Sequence, residues 1–380
     1  MMPRVAVVKV GGSVEEAVRE AVGLLGGIET FVDPGASFLV KPNLFTVKSA
    51  EKGATTDPRI IMTIAEMIRE AGAEPVVGEC PATGAYARPD VVFDGLGIRK
   101  LCDEVGVEIN MLDREEPVRV ENPDGEILKE VWFPRFALEC AGIVNVPKLK
   151  THVLTALTCA VKNLFGLQQG GTKAHHHVHT SNDSERFSRL LVDLYQAIRG
   201  QIRLNVVDAV VAMEGEGPNT GDPVDLGVII AGGDAVAIDL VGAALMGWDP
   251  LEVGTNFIAA ERGLGPSSLE EVEVVGTPIS EVARPFKKPK THQDDQMFLD
   301  VRMPIECDPE KCTSCGICAE VCPANAIILA GIPEFQDQSC IQCFCCIELC
   351  PNGALGVVRT EAYKARVASS KPSHRLIEYG

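Results

Sequence analysis

Short unbroken apolar stretches alternate along the first 280 or so residues with segments whose apolar positions recur every three or four. Unbroken runs fit strands buried on both faces, and the wider period fits helices packed on them. The pattern predicts strands at Val5–Val10, Ser37–Val40, Pro75–Glu79, Val107–Leu112, Gly142–Val146, Leu204–Val211, Leu226–Ala231 and Glu271–Val275. Helices are predicted from Pro58 to about Ala71 and at Ile98–Val105, Leu154–Phe165, Glu185–Ile198, Ala235–Leu245 and Val253–Glu261. Ser13 with Glu16 three residues on forms a capping box, and Asp57-Pro58 suits an N-cap and first helical position. Strand–helix alternation implies crossovers onto a largely parallel sheet with flanking helices, an α/β fold. Val118–Val120 and Ile127–Phe133, around Asn122-Pro123-Asp124-Gly125, predict an inserted hairpin.

The stretch Ala283–Asp295 holds two prolines and dense charge, which marks a linker. The division expected is an α/β domain over 1–282, a linker over 283–300, a small cysteine-rich α+β domain over 301–358 and a tail over 359–380. A net charge of −18 argues against nucleic acid as a partner, because phosphate binding needs a basic surface. No apolar run approaches the roughly 18 residues of a membrane span, and no secretory signal opens the chain. A cytoplasmic location with reduced thiols is expected.

Ten of the fourteen cysteines lie between Cys307 and Cys350. Cys312-x2-Cys315-x2-Cys318-x3-Cys322-Pro323 is repeated 28 residues on as Cys340-x2-Cys343-x2-Cys346-x3-Cys350-Pro351. Each tight run brings three thiolates to one cubane, and the fourth cysteine, before proline, reaches the other. Cys312, Cys315, Cys318 and Cys350 are expected to bind one [4Fe–4S] cluster, and Cys340, Cys343, Cys346 and Cys322 the second. A zinc ribbon would use paired C-x2-C units with longer gaps. The doubled register closely resembles the bacterial two-cluster ferredoxin domain, and Pro-x-x-Ala-[Ile/Leu] after each run starts a strand in that family. Cys307 and Cys345 fall outside the register, Cys345 as a packing residue beside the cluster. Such clusters transfer single electrons. Seven acids against one lysine between Glu306 and Cys350 would favour a redox partner protein with a basic patch.

In Asn145-Val146-Pro147-Lys148-Leu149-Lys150-Thr151-His152, an extended chain puts Lys148, Lys150 and His152 on one face. On the predicted helix after it, Thr155, Thr158, Cys159 and Lys162 make a polar stripe, with Asn163 beside Lys162 and Gly166 as the stop. Lysines gathered near a helix start suit a carboxylate or phosphate, and histidine serves near-neutral proton transfer. His152 and Lys162 are the candidate catalytic residues, and Lys148, Lys150 and Asn163 candidate binders of an anionic small molecule or cofactor. His175, His177 and His179, in a histidine-rich run, form a candidate second metal site. Lys41 and Asn43 end a predicted strand and Thr55 and Thr56 open a helix, a place where α/β sheets bind ligands. Glu214, in the loop after a strand, is a candidate acid–base group or ligand. No P-loop or full G-x-G-x-x-G is present.

At KPNL (41–44), TTDP (55–58), NVPKLKTH with TCAVKNLFG (145–166), DAVVAMEGEGPNTG (208–221) and GGDAVAIDLVGAALMG (232–247), the large domain resembles the domain of unknown function 362 family. Members of that family are often joined to a two-cluster ferredoxin module, and the resemblance implies a domain without supplying a reaction. The chain is also distantly similar to the lactate racemase catalytic domain, whose nickel-pincer cofactor sits on a lysine. There a catalytic histidine precedes the lysine by ten residues and a nickel-binding histidine follows about sixteen later. His152 stands ten before Lys162, and His177 and His179 bracket the later position. The expected function is iron–sulfur electron transfer, as an oxidoreductase, as a non-enzymatic carrier or assembly subunit, or beside a racemase-like metal cofactor on Lys162.

Overall fold

The computed structural model describes residues 2–81, 89–180, 183–289, 304–322, 324–340, 345–358 and 361. Its α/β body contains β1 (Arg4–Lys9), β2 (Ser37–Pro42), β3 (Glu74–Glu79), β4 (Glu108–Met111), β5 (Pro117–Glu121), β6 (Glu130–Pro134), β7 (Gly142–Val146), β8 (Lys148–His152), β9 (Ala156–Thr158), β10 (Ile202–Glu214), β11 (Asp222–Gly232) and β12 (Glu273–Gly276). One mixed sheet runs β12-β1-β11-β10-β7-β2-β3-β4, with β8 and β9 branching from β10. From β10 to β4 the neighbours are parallel, as are β1 and β12. β11 is antiparallel to both β1 and β10, because the loop joining β10 to β11 is too short for a crossover.

Successive side chains feed opposite cores. Val5 and Val7 join one cluster and Ala6 and Val8 the other, the period-2 rule of a strand buried on both faces. Helices Val14–Gly23, Pro58–Glu70 and Ile98–Val105 cover one face, and Ser184–Ile198, Ala235–Leu245 and Gly254–Glu261 the other. The first two begin as expected, with the Ser13–Glu16 capping box and with Asp57 accepting from Arg59 N ahead of Pro58. β5 and β6 pair as the inserted hairpin.

Two expectations are corrected. Leu154–Phe165 is not one helix: it holds β9, the short helix Ala160–Asn163 and the start of a 3-10 turn over Leu164–Leu167. Antiparallel pairing of β8 with β9 satisfies the backbone that a helix would have satisfied. The linker also starts later than its composition implies. Phe286 is buried, Arg284 and Phe286 donate backbone N–H to Leu245 O and Met246 O, and Trp248 Nε1 donates to Phe286 O. Among the described residues no helix is long and apolar enough to cross a membrane.

The small domain pairs β13 (Ile305–Cys307) with β16 (Leu355–Val357) and β14 (Ile327–Ala330) with β15 (Ile332–Phe335). Short helices Ile317–Glu320 and Cys345–Glu348, each followed by a strand after its Pro-x-x-Ala, repeat the same layout in both halves. Its buried core mixes cysteines, Cys318, Cys345, Cys346 and Cys350, with aliphatic residues such as Val321, Leu349 and Leu355.

Candidate functional site

The carboxyl ends of β2, β3 and β7 meet at one edge of the sheet, where open α/β folds gather ligands. Lys41, wholly buried, pairs with Glu79 at 2.8 Å and donates to Pro42 O at 3.1 Å. Burial pulls Lys41 below its ordinary pKa and pushes Glu79 above its own, against the attraction between them. Gly166 closes over this pair: a Cβ there would overlap Glu79 Oε1 and Lys41 Nζ. That close approach, rather than a helix stop, explains the glycine. Asn43 Nδ2 donates to Asn163 Oδ1 at 3.1 Å, and Asn163 Nδ2 to Asn145 Oδ1 at 2.8 Å, tying β2 and β7 to the segment that bears Lys162.

Beside this lattice lies a half-open pocket with a cavity volume of about 90 Å³. Lys150, His152, Lys162, Asn43 and Asn163 line it together. Lys150 Nζ donates to Asn43 Oδ1 at 3.2 Å and Ala54 O at 2.7 Å and lies 3.9 Å from the centre of the Phe45 ring. Lys162 Nζ stands 5.0 Å from Phe165 and 5.5 Å from Phe187, within cation–π range. His152 Nδ1 accepts the backbone N–H of Leu154 at 3.1 Å and Thr155 at 3.3 Å, which leaves its ring proton on Nε2. His177 stacks on Phe187 at 4.5 Å and also lines the pocket.

Several lining residues escaped the sequence reading: Glu79, Cys80, Lys173, Phe45 and, from the small domain, Cys345 and Leu349. Glu79 ends a predicted strand, so the rule that picked Lys41 reaches it too. Lys173 opens the histidine-rich run and donates to Cys80 O at 2.6 Å. Burial pushes the Cys80 thiol up, away from thiolate. Cys345 is more than packing beside a cluster, since it forms pocket wall.

Other expected residues lie elsewhere. Lys148 leaves the pocket to pair with buried Asp208 at 2.7 Å. The Thr55 hydroxyl donates to Lys48 O and that of Thr56 to Val146 O, both serving the backbone. Glu214 pairs with Lys287 at 2.8 Å and accepts Lys287 N, anchoring the segment after the body. The helix Thr172–His179 turns His175 and His179 outward and His177 inward, because residues two apart face different sides of a helix. Among the described residues no three His, Cys, Asp or Glu side chains converge on a single metal ion.

In the small domain Cys312, Cys315, Cys318 and Cys350 line one cavity, combining three sulfurs of the first run with the last of the second. Backbone N–H groups point at sulfur: Ser314 to Cys312 at 3.4 Å, Ala326 to Cys322 and Ala354 to Cys350, each at 3.2 Å. Four sulfurs around a shared space, with N–H donors behind them, fit a cubane, whereas one zinc ion would draw its ligands to about 2.3 Å. Of the second set, Cys340, Cys346 and Cys322 are described and Cys343 lies outside the described residues.

The two parts meet at a seam beside the pocket. Phe45 packs on the small domain's core, Asn219 Nδ2 donates to Cys350 O at 3.0 Å, and Lys48 Nζ donates to Asn219 O at 2.6 Å. Gly353 lies against Thr220, with no room for a Cβ.

Fold and site define an α/β protein with an appended 4Fe–4S domain. Residues 308–328 match the family described as "4Fe-4S binding domain". Residues 38–244 match "Domain of unknown function (DUF362)", and the chain belongs to that family. It is 31% identical over 279 residues to the "Thylakoid-associated protein sll1697" of Synechocystis sp., covering 73% of this chain and 84% of that protein. No solved structure matches.

Proposed function

We propose that the protein is an iron–sulfur oxidoreductase in which two [4Fe–4S] clusters serve a small-anion site at the seam. The observation that carries this reading is the composition of the pocket wall, where Cys345 and Leu349 of the small domain face Lys150, His152 and Lys162 of the body. One cluster would be held by Cys312, Cys315, Cys318 and Cys350, the other by Cys340, Cys343, Cys346 and Cys322. When bound, such clusters give or accept one electron at a time.

The remaining work falls to the chain's own residues. Lys150, Lys162 and Lys173 offer positive charge to an anion. Glu79 pairs with Lys41 and is attracted also by Lys173, so one carboxylate faces an excess of lysines. His152 holds its proton on Nε2, a hydrogen-bond donor that can polarise a substrate while it takes up protons from water. The small domain covers the pocket and thins the water around the charged groups. Electrons would come from an external protein with a basic patch that meets the acidic small domain.

Anaerobically purified protein is expected to hold about eight iron per chain. Chemically reduced protein should be reoxidised by a small anionic acceptor, and His152→Ala and Lys162→Ala should abolish this with iron content unchanged. About four iron would remove the second cluster. Reoxidation indifferent to both substitutions would leave a plain electron carrier.

A second reading has its own support. His152, Lys162 and His177 line the same pocket, the set that a racemase-like metal cofactor on Lys162 would use. Stoichiometric nickel or a mass adduct on Lys162 would favour it over the first.

A further inference from the structure

The hairpin β8–β9 carries a hydrogen-bond donor that no group among the described residues uses. Lys150 and Thr158 stand opposite each other in the register, so their side chains share a face. Both line the pocket. Thr158 is only 3% exposed, and its Oγ1 has no hydrogen-bond partner among the described residues. Buried polar groups in native proteins are nearly always satisfied, so an orphan in a pocket wall points to a missing ligand. Its neighbour, the Lys150 ammonium, is held in place by Asn43 Oδ1, Ala54 O and the Phe45 ring.

An ammonium beside a hydroxyl matches the two oxygens of a carboxylate. Lysine serves phosphate as well, but phosphate sites add arginine forks or the N–H groups at the start of a long helix to their lysines. No arginine is among the lining residues described, and the adjoining helix Ala160–Asn163 is a single turn. Phe45, Phe165, Pro218 and Leu349 supply apolar walls, so the ligand needs an apolar body as well as an acid group. Its far end meets Cys345 on the small-domain side. A saturated carboxylate has no low-lying orbital to take a single electron there, whereas a conjugated one does.

We propose, building on the redox reading above, that the pocket binds a small carboxylate conjugated to a carbon–carbon double bond, its acid group on Lys150 and Thr158. Reduction would consume two electrons, delivered singly from a reduced low-potential electron-carrier protein, and two protons. Both protons come from water, with His152 Nε2–H donating a hydrogen bond to the substrate as charge develops on it. The π bond is lost, two C–H bonds form, and no group leaves.

The test uses the full-length, cluster-loaded protein with trans-cinnamate as probe, titrated calorimetrically against inorganic phosphate. Saturable cinnamate binding is expected, weakened about tenfold or more by Thr158→Val and restored by Thr158→Ser, with phosphate failing to compete. Equal affinity in Thr158→Val with an unchanged cluster spectrum, competition by phosphate, or no cinnamate binding overturns the assignment. Binding needs no electrons, so the two readings separate. Cinnamate that binds this way but is never converted to 3-phenylpropionate by reduced protein keeps the carboxylate site and removes the oxidoreductase. Reduction indifferent to Thr158 does the reverse.

Discussion

Gly166 is a position where one missing methyl group holds a site together. The buried Lys41–Glu79 pair sits where any Cβ on residue 166 would be, and neither partner can retreat into water. Gly166→Ala is expected to cost about 3 kcal/mol, since it overpacks the site and strains a buried ion pair. A thermal midpoint equal to that of the parent protein would rule this out. The chemistry-bearing residues themselves were visible along the chain: Lys150, His152 and Lys162 stand in one block and do line one pocket. Their partners were not. Nothing in the chain couples Lys148 to Asp208 or turns Lys173 toward Cys80, because those pairings join positions brought together only by the sheet.

Among the elements, the segment from β8 to the 3-10 turn departs most from its sequence pattern. Thr155, Thr158, Cys159 and Lys162 have helical spacing, yet pairing with β8 claims Thr158 and turns its side chain to the face of Lys150. Behind the segment, Asp239 on the helix Ala235–Leu245 accepts the N–H of Ala160 at 2.6 Å and Val161 at 3.2 Å. Burial pushes its carboxyl up to about 7, with the Cys159 contact and these two N–H groups opposing. The folded protein therefore keeps a proton that the unfolded chain has released, so this contribution is full at low pH and fades as pH rises toward 7. Stability against urea is expected to fall by a few kcal/mol in all, part of it from about pH 5.5 to pH 7.5. Asp239→Asn should flatten that slope, and an unchanged slope in the variant would assign it to another group. Where local and tertiary demands agree, as at Ser13–Glu16 and Asp57-Pro58, elements began where the sequence indicated.

At the level of the whole molecule, the seam decides what the pocket is. Lys48, Asn219 and Cys350 form a short relay of hydrogen bonds across it, with Phe45 packed alongside. Losing the Asn219 side chain removes its tie to Cys350 O, and losing that of Lys48 removes the group that holds Asn219 from the body's own side, without touching a cysteine. The double variant Lys48→Ala, Asn219→Ala is expected to retain iron while its radius of gyration in small-angle scattering increases, as the small domain swings away. An unchanged radius would mean that Phe45 and its apolar neighbours hold the seam alone.

By itself the sequence determined the α/β alternation, the flanking helices and the two cysteine runs, because each rests on short spacings that local geometry enforces. It also determined which residue types stand at the ends of the parallel strands. Only the tertiary structure decided that β11 runs against its neighbours, that β8 and β9 pair, and that Cys345 closes a pocket lined by lysines far earlier in the chain. Those outcomes depend on packing between distant segments, and a contact of that kind leaves no period along the chain for pattern to detect.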